Sequence, residues 1–156
     1  MTSAAVQKQD AESTLTFNTS RFGAIEVDLD KIITMTTPFP GFPDSRRFIL
    51  RPHGPESPFF WLQSLDDPHL AFVVIPAATL LPDYRPKLGA ATETELQLEG
   101  AAPDLLLILT IPPGQPEKMT ANLLGPVALN PRKRLACQAL LDPSLYELGW
   151  PVFTDK

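Results

Sequence analysis

Apolar residues in this chain recur in short alternating runs, not in the three-to-four spacing of helical stripes. Leu15 and Phe17 alternate with Thr14, Thr16 and Asn18, and after Arg21-Phe22-Gly23 the alternation resumes with Ile25 and Val27 on one face. That pattern predicts a β-hairpin. Residues 32–35 form a third β-branched run, which Pro38-Phe39-Pro40-Gly41-Phe42-Pro43 must end because proline gives a ladder no donor. Residues 47–50, 59–64 and 71–75 are short, aromatic or β-branched, and bounded by Pro, Gly or Asp, so they predict three further strands. Along the 59–64 run adjacent side chains point oppositely, which divides Phe59, Phe60 and Trp61 between two faces.

The second half repeats the pattern with one interruption. Residues 90–98 are rich in Ala, Glu and Leu and predict one or two helical turns, after Pro82 and Pro86 have broken the preceding segment. The nearly continuous apolar run at 105–111 predicts a strand covered on both faces, stopped by Pro112-Pro113-Gly114. Strands are expected at 120–129 and 135–141, joined by a turn at Asn130-Pro131-Arg132-Lys133, and an edge strand at 150–153. Asn122 interrupts the first of these, as a bulge, a backbone contact or a recognition residue. Residues 1–13 lack any periodic apolar pattern and are expected to form a flexible tail, leaving a single domain over 14–156. So many short strands must close or stack to cover their edges. The expected fold is all-β, a small closed or nearly closed antiparallel barrel, or a sandwich, with at most one or two short helices.

Composition sharpens this picture in two respects. Eighteen prolines in 156 residues exclude long helices wherever they fall. The net charge of −5 sets a repulsive field against a phosphate backbone, so no direct nucleic-acid ligand is expected, while a basic protein would be steered toward the surface. The single cysteine, Cys137, cannot form an internal disulfide, no apolar run approaches the roughly 20 residues of a membrane helix, and no signal-peptide core precedes Thr14. The expectation is a cytoplasmic protein without a membrane partner.

Candidate chemistry is sparse. His53 and His69 fall in turn-like strings, and His69 with Asp66 or Asp67 is a weak metal set. Cys137 shares one strand face with Leu135, Ala139 and Leu141, the pattern of a small core residue and not of a nucleophile. No phosphate loop, dinucleotide fingerprint or nucleophile elbow occurs, so neither cofactor nor catalytic residue is assigned and no enzyme is expected. Arg132-Lys133-Arg134 is read as a solvated turn. The acidic residues Asp66, Asp67, Glu93, Glu95, Glu99 and Asp104 are the candidate contacts for a basic partner, weighed against the plainer reading of a solvated face.

Ordered strings carry a resemblance. They run from Ser20-Arg21-Phe22-Gly23 with Ile25-Glu26-Val27, through Phe39-Pro40-Gly41-Phe42-Pro43 ahead of Arg47-Phe48-Ile49-Leu50, to Pro58-Phe59-Phe60-Trp61-Leu62-Gln63-Ser64-Leu65-Asp66-Asp67-Pro68. Leu70-Ala71-Phe72-Val73-Val74, Pro82-Asp83-Tyr84, Met119-Thr120-Ala121-Asn122-Leu123-Leu124-Gly125-Pro126-Val127, Gln138 and Tyr146 continue the series. In this order and spacing the chain resembles the FliW family of flagellar assembly factors. It departs from the family pattern at Pro76-Ala77, where an acidic residue and proline are usual, and at Gly149-Trp150-Pro151, where an Arg-His-Pro-like string is usual. The resemblance implies a protein, monomeric when free, that antagonises the translational repressor CsrA allosterically and also binds flagellin. Competition between the two partners would couple flagellin synthesis to its export. A small β-barrel binding module for a carbohydrate or other ligand is the alternative from another class. It would require a concave apolar pocket with a few converging polar groups.

Overall fold

The computed structural model describes residues Ser13 to Phe153; the tail expected at 1–13 lies outside the described residues apart from Ser13. Strands are β1 (Thr14–Thr19), β2 (Gly23–Asp28), β3 (Ile33–Met35), β4 (Arg47–Pro52), β5 (Phe60–Ser64), β6 (Ala71–Pro76), β7 (Asp104–Thr110), β8 (Thr120–Ala121), β9 (Val127–Asn130), β10 (Leu135–Gln138) and β11 (Trp150–Pro151). Short helices occupy Ala77–Leu80 and Ala90–Glu95. The order β7-β6-β5-β4-β3-β10-β9 returns to β7 through a β7–β9 pairing, so seven strands close a barrel, while β8 and β11 extend beyond it from β7. Closure is antiparallel except at one seam: β3 and β10 run parallel, pairing Thr34 with Leu135 and Met35 with Ala136.

Alternation assigns the faces. Ile33, Met35, Phe48, Leu62, Val74, Leu106, Val127, Leu129 and Ala136 meet inside, and Phe39 from the proline-rich loop joins them. Three separate covers hide the outward apolar residues. The β1–β2 hairpin lays Ile25 and Val27 on Ile49 and Leu65. Residues around the Ala90–Glu95 helix bring Leu88, Leu96 and Leu98 onto Ala128, Cys137 and Ala139. Ala77, Met119 and Leu123 cover Ile75, Leu107 and Leu109, with Tyr84, Tyr146 and Trp150 packed alongside. This explains the unbroken apolar run of β7: Leu106 faces inward while Leu107 and Leu109 meet a cover. Within the 59–64 run, Phe60 turns inward, and Phe59 and Trp61 turn outward.

Three strands differ from the sequence expectation, the edge strand expected at 150–153 being limited to Trp150–Pro151. The strand expected at 120–129 is split into β8 and β9, because the Asn122 carboxamide accepts the N–H groups of Leu124 and Gly125 at 3.0 and 2.8 Å and turns the chain there. Gly125 suits that turn, since a Cβ would meet Gln138 Nε2 at 2.9 Å. The strand expected at 135–141 ends at Gln138, although Ala139 and Leu141 still donate to the carbonyls of Pro126 and Leu124.

Candidate functional site

Strand registers bring one end of the barrel together as a rim. Pro52 pairs with Phe60, Phe60 with Val74, Pro76 with Leu106, and Asp104 with Leu129. Over this rim the chain runs from the Ala77–Leu80 helix through Pro82 and Pro86 toward Ala90, a path stiffened by its prolines. Tyr84 ties that strap down by donating its hydroxyl to the Leu123 carbonyl at 2.6 Å, and burial, with Tyr146 alongside, raises its pKa. Between strap and rim lies an apolar groove of about 730 Å³ floored by Leu50, Phe60, Leu106 and Leu129. Its charged lining residues are Arg85, Lys87, Glu93 and Asp104.

The acidic residues singled out from sequence therefore divide. Glu93 and Asp104 converge on the groove and make no side-chain hydrogen bond or ion pair within its lining or elsewhere among the described residues. Glu95 accepts the hydroxyls of Thr36 and Thr37, which fastens its helix to the end of β3. Glu99 pairs with Lys133 at 3.4 Å. Asp67 caps its own turn by accepting the His69 N–H at 2.9 Å. Asp66 is a clasp between loops: it accepts the backbone N–H groups of Arg46 and Arg47, each at 2.8 Å, and pairs with the Arg47 guanidinium. Partial burial alone would raise its pKa, but the Arg47 side chain, those N–H groups and the Arg47 charge together hold it below 3.8.

The remaining candidates are structural. His53 and His69 lie in bends or turns, His69 Nδ1 bonds Ser20 Oγ, and among the described residues no group of three or more His, Cys, Asp or Glu is placed to hold a metal. Cys137 is buried, and burial with the nearby Glu95 carboxylate pushes its thiol up to about 11, far from a reactive thiolate. In the 131–134 turn, Asn130 accepts the N–H groups of Arg132 and Lys133 while its own amide reaches the Leu96 carbonyl. Among the described residues no helix is long and apolar enough to cross a membrane.

Two features escaped the sequence reading. The cations of the strap, Arg85 and Lys87, reach the groove only because a segment remote from the rim strands crosses it; the close pair Pro82 and Pro86 was the available signal. Leu140, Leu145 and Leu148, at 80%, 71% and 66% exposure, leave an apolar stretch after β10 uncovered.

Comparison with known proteins identifies the family. The sequence profile of the FliW protein family matches residues 16–152. The flagellar assembly factor FliW of Geobacter sulfurreducens is 39% identical over 135 residues, covering 86% of this chain and 84% of the relative. That of Syntrophus aciditrophicus is 34% identical over 139 residues, covering 89% and 88%. A crystal structure of the flagellar assembly factor FliW superposes with a TM-score of 0.82 at 32% identity, covering 91% of this chain and 99% of the other. With the profile spanning nearly the whole barrel and its covers, the chain belongs to the FliW family of flagellar assembly factors.

Proposed function

We propose that this chain is a non-enzymatic, cytoplasmic binding protein of flagellar assembly that exchanges between the repressor CsrA and flagellin. Family membership across residues 16–152 carries the reading. The physical features agree in kind. An acidic protein steers a basic repressor toward itself, and the groove offers an apolar floor with Glu93 and Asp104 exposed at its edge. Antagonism requires that the factor bind the RNA-free repressor more tightly than the RNA-bound one. Of the acidic residues considered, Glu93 and Asp104 are the contacts we favour; Glu95 fastens the helix that carries Glu93, whereas Glu99, Asp66 and Asp67 are engaged in contacts of their own away from the groove.

Calorimetric titration of the purified chain with CsrA and with flagellin from the same cell tests the reading. Both should bind, each should displace the other, and repressor association should slow as salt rises. Binding of neither partner would end the proposal. The groove also meets the geometric requirement of a small-ligand module. Saturation of the groove by a soluble sugar or metabolite, without either protein binding, would favour that second reading.

A further inference from the structure

The hairpin is seated unevenly. Ile25 and Val27 of β2 are 6% and 2% exposed, whereas Leu15, opposite Val27, is 47% exposed. Phe17, opposite Ile25, is half-buried, so β2 lies on the barrel and β1 overhangs it. Hydrogen-bond parity decides which backbone groups of β1 are spare. The Leu29 N–H donates to the Ser13 carbonyl at 2.6 Å, one step beyond the Thr14↔Asp28 pair. In an antiparallel ladder bonded and non-bonded pairs alternate, so Leu15, Phe17 and Thr19 spend their groups on β2, and Thr14, Thr16 and Asn18 turn theirs outward. Among the described residues no strand takes up that edge.

Free edges are ordinarily blunted by charge, proline or bulges. The other hairpin strand obeys this with Glu26 and Asp28, and β11 does so with Pro151. Thr14–Thr19 carries neither a charge nor a proline. We propose that the outer edge of β1 receives an extended segment of a partner protein as a third strand. Its residues would alternate apolar toward the barrel and basic toward solvent.

Both halves of that specification come from the neighbours. Inward side chains of an added strand would lie beside Leu15 and Phe17 and cover their open side. Arg47, which stacks over the Phe17 ring at 5.4 Å, is already paired with Asp66 and adds no free cation there. Outward side chains would stand beside Thr14, Thr16 and Asn18, with Glu26 and Asp28 on the same face one strand further on. Two strand spacings are about 10 Å, close to the Debye length, so that acidic row attracts a lysine or arginine. A second copy of this chain would bring its own acidic row, Glu26 and Asp28, to the same face and be repelled there. The inference goes beyond the partner-exchange reading, since it assigns a surface and a geometry that do not depend on the identity of CsrA or flagellin.

Titrating the full chain with a synthetic peptide alternating valine and lysine, and following amide shifts and hydrogen exchange, tests the edge. The amides of Thr14, Thr16 and Asn18 should shift and become protected, and a valine–glutamate peptide should bind at least about tenfold more weakly. Thr16→Pro removes an outward donor without touching the β1–β2 ladder, and should weaken the lysine peptide by about tenfold at unchanged melting temperature. Leu15→Lys, a second variant that leaves the backbone intact, should do the same by charge. Shifts centred on the groove, equal binding of both peptides, indifference to both variants, or dimerisation of the free chain through β1 in sedimentation would each overturn the assignment.

Discussion

The barrel wall and the hairpin laid against it use the same alternating strand, yet they solve the edge problem differently. In the wall each of the seven strands has at least two neighbours, and a residue such as Phe48 is sealed at 0% exposure between Phe39 and Phe72. Among the described residues the hairpin has one pairing and two free edges, and its apolar face is closed beneath β2 and Phe17 but open at Leu15. Closure gives the wall rigidity that does not depend on a partner. Leaving β1 open keeps a set of backbone donors and acceptors available on the outside of a molecule whose reading rests on contact.

That contrast can be broken at graded cost. Phe48→Ala should lower unfolding free energy by about 3–5 kcal/mol in a urea titration, because the surrounding wall cannot collapse into the void. Ile25→Ala, under the hairpin, should cost about 2 kcal/mol, and hydrogen exchange should accelerate in β1 and β2 more than in β4 to β7, marking the hairpin as the less stable unit. Asp66→Asn should cost about 1 kcal/mol at neutral pH, since the clasp keeps partial solvent access. The sign of its pH dependence follows from the depressed folded value. The ionised Asp66 stabilises the fold above pH 3.8 and loses that contribution as pH falls through the lower folded value. The wild type should therefore lose its margin over Asp66→Asn on acid titration. Leu15→Lys should change stability by less than about 0.5 kcal/mol, as Leu15 already stands half in solvent.

How legible the site was depends on whether a residue's role is set along the strand or across it. Cys137 could be placed in the core because Leu135, Ala139 and Leu141 share its face two residues apart, and the structure packs them together. Asn122 could be recognised as an interruption, but not as the residue whose carboxamide splits one expected strand into two. The six acidic candidates are alike in sequence and unlike in space. Asp66 and Glu95 hold loops and a helix in place, whereas Glu93, on the helix that follows the strap, and Asp104, at the rim end of β7, meet at one groove.

From the sequence alone followed the brevity of the strands, the faces most of them present, the need for closure and the acidic character, because alternation, proline placement and charge are local properties. Tertiary structure decided the parallel seam between β3 and β10, the three covers that make outward residues core, the groove over the rim and the open edge of β1. Those features join residues far apart in the chain, and which edges find partners is settled only when the whole barrel closes.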